Sequence, residues 1–246
     1  MPLATTTGRQ TRPRRLMLYG VHGIGKSTFA AEAPNAVFLP TEDGIADIDC
    51  ESYPLSSCFD QFMHYLQELH DEEHDRSTLV IDSLDWLERL IWAEVEKEHS
   101  VDSIEDIGYA KGYTFALKHW RTVLKQLERL RDARGMTSIL LAHAKIERFT
   151  PPDLDAFDRY SPKLHKHASG IVQEWCDEVL FANYQVYTQS SGEGFDARTK
   201  GVGNGERVIH TSEMPAHNAK NRARLPVTLP LSWQAYFDAV EKGKTL

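Results

Sequence analysis

The sequence predicts an α/β domain built on a central, mainly parallel sheet with helices on both faces. Two patterns point to it. Short apolar or β-branched runs (Leu16–Tyr19, Ala36–Leu39, Thr78–Ile81, Ser138–Ala142) alternate with segments of helical periodicity. Each run is nearly continuous in hydrophobicity, as strands buried on both faces require. The 246 residues suit one such domain with insertions, and 41% hydrophobic residues supply a core of ordinary size, which excludes a disordered chain.

Following Leu16–Tyr19, a glycine-rich turn leads to a helix from about Lys26, stopped before Pro34. Phe59–His74 places Phe59, Phe62, Met63, Leu66 and Leu69 on one helical stripe. A helix over about 84–98 follows the third strand. Ala110–Arg134 repeats Tyr113, Leu117, Trp120, Leu124, Leu127 and Leu130 at three/four spacing. Beyond the fourth strand, 147–163 reads as an irregular polar loop held by Pro151, Pro152 and Pro162. A helix near 164–175, a strand or hairpin over Glu178–Tyr187, a turn at Asn204–Gly205, a strand near Arg207–Thr211 and a helix over Trp233–Val240 complete the chain. The domain reading is a flexible basic arm, 1–15, then a single domain, 16–246, with a short β-rich C-terminal extension.

No apolar run reaches the ~20 residues that span a bilayer, and no apolar segment follows the N-terminal arginines, so neither membrane nor secretion is expected. Cys50, Cys58 and Cys176 lack metal or disulfide spacing and read as free buried thiols of a reducing cytoplasm. His70 and His74 lie one helical turn apart without a third ligand and read as part of a solvated acidic face. Trp86, Trp92 and Trp120 fit helix core stripes.

The chemistry begins at Gly20-Val21-His22-Gly23-Ile24-Gly25-Lys26-Ser27, which fits G-x-x-x-x-G-K-[ST] between a strand and a helix. Glycines there let successive backbone N–H groups wrap a phosphate chain, with the helix N-terminus adding its positive end. The binding set is Gly20, His22, Gly23, Ile24, Gly25, Lys26, Ser27 and Thr28. Lys26 would reach the β- and γ-phosphates of ATP, and Ser27 would ligate Mg²⁺. Leu79-Val80-Ile81-Asp82 places a carboxylate at the end of a buried strand, beside that nucleotide, to hold the same Mg²⁺. Ser83 follows Asp82, so the carboxylate that polarises the attacking water comes from elsewhere. The second strand runs into Thr41-Glu42-Asp43-Gly44, and either acid there would serve.

With these residues the chain resembles the RecA-like P-loop ATPases, and within them the phage-encoded nucleotide-binding and single-strand annealing proteins. The likeness runs from about residue 14 to 240. It is carried by the phosphate loop, Thr41-Glu42-Asp43-Gly44, Val80-Ile81-Asp82-Ser83, Gly108-Tyr109-Ala110-Lys111-Gly112-Tyr113, Leu141-Ala142-His143 and Ala219-Lys220-Asn221-Arg222. The resemblance implies strand order 5-1-4-3-2, Glu42 as the water-activating residue with Asp43 as alternate, and His143 as a γ-phosphate sensor. It also implies that Lys220 and Arg222 reach a neighbouring subunit's ATP from a finger segment within 198–230, both side chains pointing the same way from a strand. A homo-oligomer, ring or filament, follows. So does ATP-modulated binding and annealing of single-stranded DNA in phage recombination or replication, in the host cytoplasm, with a single-strand binding protein as a further partner. The rival readings are a P-loop kinase and a nucleotide-gated adaptor.

Net charge of −8 argues against a DNA coat, yet the charge is unevenly distributed. Acid gathers in 59–75. Cations gather in Arg9, Arg12, Arg14 and Arg15, in 198–224, and in the segment after His143. Within 147–170, Arg148, Phe149, Arg159, Tyr160, Lys163 and Lys166 combine cations with aromatic platforms for single-stranded DNA.

Overall fold

The structure is a computed structural model and describes residues 4–8, 10–152, 155–191 and 198–245, with backbone alone for 187–191, 198–202 and 245. Arg9 of the basic arm, Asp153 of the candidate DNA segment and the side chains of Arg198 and Lys200 lie outside this description.

Five parallel strands form the centre of the sheet: β1 (Arg15–Gly20), β2 (Ala36–Pro40), β4 (Thr78–Asp82), β5 (Thr137–Phe149) and the first part of β7 (Glu178–Ser191). They lie side by side as β7-β1-β5-β4-β2. The sheet is wider than these five strands, and the strand read near Arg207–Thr211 is the end of a longer one. A two-residue β3 (Glu51–Ser52) pairs β2 in parallel, while β8 (Arg198–His210) and β10 (Thr228–Pro230) add antiparallel strands beyond β7. A short β9 (Lys220–Asn221) also pairs with the start of β7.

Alternation along each strand sorts the core into two layers. Met17, Tyr19, Leu79, Ile81, Leu140, Ala142, Val179 and Phe181 face one cluster. It is closed by α2 (Phe59–Asp71), α3 (Leu84–His99), α4 (Lys111–Ala133) and α5 (Lys166–Trp175). The intervening residues Leu16, Leu18, Val80, Ile139, Leu141 and Leu180 face the other cluster, closed by α1 (Lys26–Ala31) and α6 (Trp233–Thr245). Both faces are therefore buried, which is why the strands read as continuous apolar runs.

Several expectations are corrected. The segment after His143 is no irregular loop: β5 continues to Phe149 and pairs antiparallel with β6 (Phe157–Pro162), so the prolines sit at the tip and foot of a β-hairpin. Asn204–Gly205 lies within β8, at the register shift between Tyr184 and Val186 of β7. Gly205 takes φ +81°, so the dipeptide makes a β-bulge in place of a turn. Trp86 is 38% exposed and stacks under Arg89, while Trp120 is buried. Cys58 is exposed; only Cys176 is fully buried. The arm is tied down at its end: Arg12 pairs with Glu128 and Asp132, Arg14 with Glu178, and Arg15 with Asp177. His70 and His74 are held at the end of α2, where Arg134 donates to the His70 carbonyl and the His74 ring contacts the Leu69 carbonyl. Among the described residues no group of three metal-ligating side chains forms.

β1 can pass close to β7 because Gly20 has no side chain; a Cβ there would lie 2.3 Å from the Ala182 carbonyl oxygen. Gly20→Ala is expected to force β1 and β7 apart and destabilise the fold by about 1–3 kcal/mol, the range of overpacked core changes, read as a lowered urea midpoint at constant slope.

Glu88 on α3 is a second test. Its carboxylate accepts the His165 backbone N–H at 2.9 and 3.1 Å, and burial pushes its pKa up to about 7 from 4.5 against that bond. A raised carboxyl favours the neutral form, so its contribution is full below pH 4.5 and is lost as pH rises through about 7. Glu88→Gln should match the wild type at pH 4.5 and exceed its stability at pH 8 by about 1–3 kcal/mol, measured by denaturant titration at the two pH values.

Candidate nucleotide site

The site sits at the C-terminal ends of the parallel strands. β1 stops at Gly20 and β4 at Asp82, while β5 lies between them and continues outward. Stopping β1 frees the chain to coil as a loop. Gly23 and Gly25 adopt φ +69° and +104°, the left-handed region that side chains resist, before α1 begins at Lys26.

Lys26 is 6% exposed, and its Nζ donates to the Gly20 and Val21 carbonyls at 3.4 and 3.3 Å. Burial lowers its pKa, against the raising effect of Asp82 and Glu42. The Ser27 hydroxyl donates to Asp82 Oδ2 at 2.6 Å. Asp82 is 4% exposed, and burial raises its pKa against the Ser27 bond and the Lys26 charge. A hydroxyl and a carboxylate in contact, with an ammonium nearby, is a hard-oxygen donor set that fits Mg²⁺ beside phosphate. Thr28, one residue on, is exposed, in keeping with Ser27 as the hydroxyl ligand.

Glu42 is brought alongside by backbone pairing. The Thr41 and Glu42 N–H groups donate to the Asp82 carbonyl at 2.8 and 3.4 Å. The Thr41 hydroxyl donates to the Ser83 carbonyl and accepts the Ser83 N–H at 2.7 and 2.9 Å. Glu42 is partly buried and burial raises its pKa, whereas Asp43 is exposed. Of the two acids, Glu42 is the one turned into the site. Ser83 stands at the N-cap position of α3, but its side chain makes no capping bond.

His143 lies within β5, level with Gly20. Its ring stacks on His22 of the phosphate loop with centroids 4.1 Å apart, and its Nε2 is 3.9 Å from Glu42 Oε1. Two contacts were not read from sequence. Asp85 in the first turn of α3 bonds the His143 ring. Arg207 of β8 donates to the Ile24 carbonyl at 3.3 Å. A second acid one helical turn past Asp82 was a usable signal for the first; pairing across the sheet hid the other.

The remaining residues divide differently from expectation. Lys220 Nζ donates to the Gln173, Glu174 and Cys176 carbonyls at 2.9, 2.9 and 2.6 Å, closing the C-terminal end of α5. It lies at the N-terminal end of β7, away from this chain's phosphate loop. The short β9 ends at Asn221, so Lys220 and Arg222 do not form a matched pair: Arg222 is 57% exposed and 3.6 Å from Asp177. In the β5–β6 hairpin, Arg148 pairs with Asp158, and Arg159 covers Phe149 at 3.8 Å and pairs with Glu213. Tyr160 stacks on Phe181 and is committed to packing. Lys163 and Lys166 are exposed, and the Lys163 N–H donates to the His143 carbonyl at 2.8 Å, joining the foot of the hairpin to the site.

Against protein-family models, residues 12–223 match the AAA domain, a span that contains every residue of the phosphate loop and the strand-end acid. The chain belongs to the AAA domain family. A search of curated proteins finds no match. Membership agrees with the geometry: a nucleotide-binding ATPase domain whose phosphate loop, Ser27–Asp82 pair and Glu42 converge at one sheet end. No helix among the described residues is long and apolar enough to cross a membrane.

The capping role of Lys220 is directly testable in this AAA domain. Lys220→Met keeps the stem and removes three donors, and is expected to lower stability by about 1–3 kcal/mol. If ATP turnover per folded molecule, measured alongside a denaturant melt, stays at the wild-type value, Lys220 is confirmed as structural.

Proposed function

We propose that the protein is a RecA-like, Mg²⁺-dependent ATP hydrolase acting on single-stranded DNA in phage recombination or replication. The observation that carries the ATPase reading is the Ser27–Asp82 contact of 2.6 Å beside the glycine loop, with Glu42 fastened to Asp82 through the backbone. The loop N–H groups and Lys26 would hold the phosphate chain of ATP, and Ser27 and Asp82 would hold Mg²⁺, which neutralises charge between the β- and γ-phosphates when bound. Glu42 would orient the attacking water and accept its proton; its burial-raised pKa suits a base.

The DNA step rests on the resemblance, with support from the exposed Lys163 and Lys166 beside a hairpin whose foot is bonded to His143. Arg222, exposed and weakly paired, keeps the reach for a neighbour's nucleotide in a homo-oligomer, the role first given to it jointly with Lys220. The expected setting is the host cytoplasm, with a single-strand binding protein as partner.

ATP turnover with and without single-stranded DNA tests this reading. Lys26→Ala should abolish nucleotide binding. Glu42→Gln should keep binding and lower turnover about 10²–10⁴-fold. Arg222→Ala should lower turnover only in the assembled state. Tight ATP binding without hydrolysis would instead establish a nucleotide-gated adaptor, and phosphate transfer to a small acceptor would establish a kinase. Absence of DNA binding at low salt, where the electrostatic attraction is strongest, would remove the DNA step.

A further inference from the structure

His143 is held more firmly than a residue at a strand position needs. One face of its ring lies against His22 at 24° between planes. Its Nδ1 is 3.0 and 3.1 Å from the two carboxylate oxygens of Asp85, and Asp85 Oδ1 also accepts the His143 backbone N–H at 3.1 Å. Asp85 is buried in the first turn of α3, a sixteen-residue helix whose N-terminus favours a carboxylate. Burial raises its pKa, but the bonds from the His143 ring and backbone outweigh that and hold it at about 2. Asp85 is therefore ionised throughout the working pH range.

An ionised carboxylate only accepts hydrogen bonds, so Nδ1 must carry the proton. In the neutral ring Nε2 is then left with its lone pair. On that side stands Glu42 Oε1, 3.9 Å away, also an acceptor. A molecule that donates twice, such as water, would satisfy both acceptors together.

We infer that Asp85 is a positioning residue: it fixes His143 with Nε2 as an acceptor, so that His143 and Glu42 together hold the attacking water. The inference rests on the ATPase reading and deepens it. In the hydrolytic step Glu42 takes one water proton while His143 Nε2 accepts the second O–H. The oxygen pair released forms the bond to the γ-phosphorus. The bond from that phosphorus to its bridging oxygen breaks, and its electrons leave with ADP, whose charge Lys26 meets. His22 holds the plane of the ring from the phosphate loop, so the loop and the water site are in mechanical contact.

The test combines kinetics with nitrogen spectroscopy. Long-range ¹H–¹⁵N correlation on the wild type should show His143 protonated at Nδ1 and bare at Nε2, and Asp85→Asn should lose that signature. Asp85→Asn should lower kcat by up to about 10⁴-fold, the loss seen when a histidine loses its orienting carboxylate, and by at least about tenfold, with Mg·ADP affinity within about threefold of wild type. His143→Gln should also slow turnover, and adding Asp85→Asn to it should cause no further loss, because both act through one group. A wild-type ring protonated at Nε2, turnover of Asp85→Asn within about threefold of wild type, or additive losses in the double variant would each overturn the inference. If Asp85→Asn fails to fold, the wild-type spectrum decides alone. Turnover by a wild type with the wrong tautomer sinks this inference and leaves the ATPase reading standing; no turnover at all sinks both.

Discussion

The nucleotide end of the molecule depends on a mismatch of strand lengths. β4 stops at Asp82, level with Leu141 of β5, and β1 stops two residues further on at Gly20, level with His143, while β5, hydrogen-bonded between them, runs on. The stopped strands release the phosphate loop and deliver Asp82. The continuing strand carries His143 past the end of β4, level with the last residue of β1, and becomes one arm of a hairpin. Ser27, Glu42 and Asp85 are all placed relative to this step: Ser27 by α1 packing, Glu42 by pairing with Asp82, and Asp85 by the first turn of α3.

The parallel centre and the phosphate loop were legible because their signals are local. A buried strand must be apolar along its length, and a loop that wraps phosphate needs glycines at fixed spacing followed by Lys and Ser. Asp82 was legible for the same reason, as the first polar residue after Leu79-Val80-Ile81. The β5–β6 hairpin escaped because Pro151 and Pro152 suggest irregularity, yet both lie in the connection, where no ladder bond is asked of them. Lys220 misled because a cation's partner can be three carbonyls of a helix end more than forty residues away in sequence. Short motifs report residue type; they are silent about which charge is already satisfied.

Charge follows the same logic. The basic arm looks free in sequence, but Arg12, Arg14 and Arg15 each meet a carboxylate, and Glu178 and Asp177 gather arginines from three segments. Arginines of the arm thus serve to dock the start of β1 onto the domain, and the cations left open to solvent are fewer than the composition implies.

The two outer strands of the sheet carry a different consequence. On one side the sheet ends in the two-residue β3, and on the other in the three-residue β10, which closes with Pro230. Neither offers a ladder long enough to template another chain, and a proline cannot donate to one. β10 covers only Val208–His210 of β8, and along the rest of that edge the bulge at Asn204–Gly205 interrupts a flat ladder, a device by which sheets discourage pairing between copies.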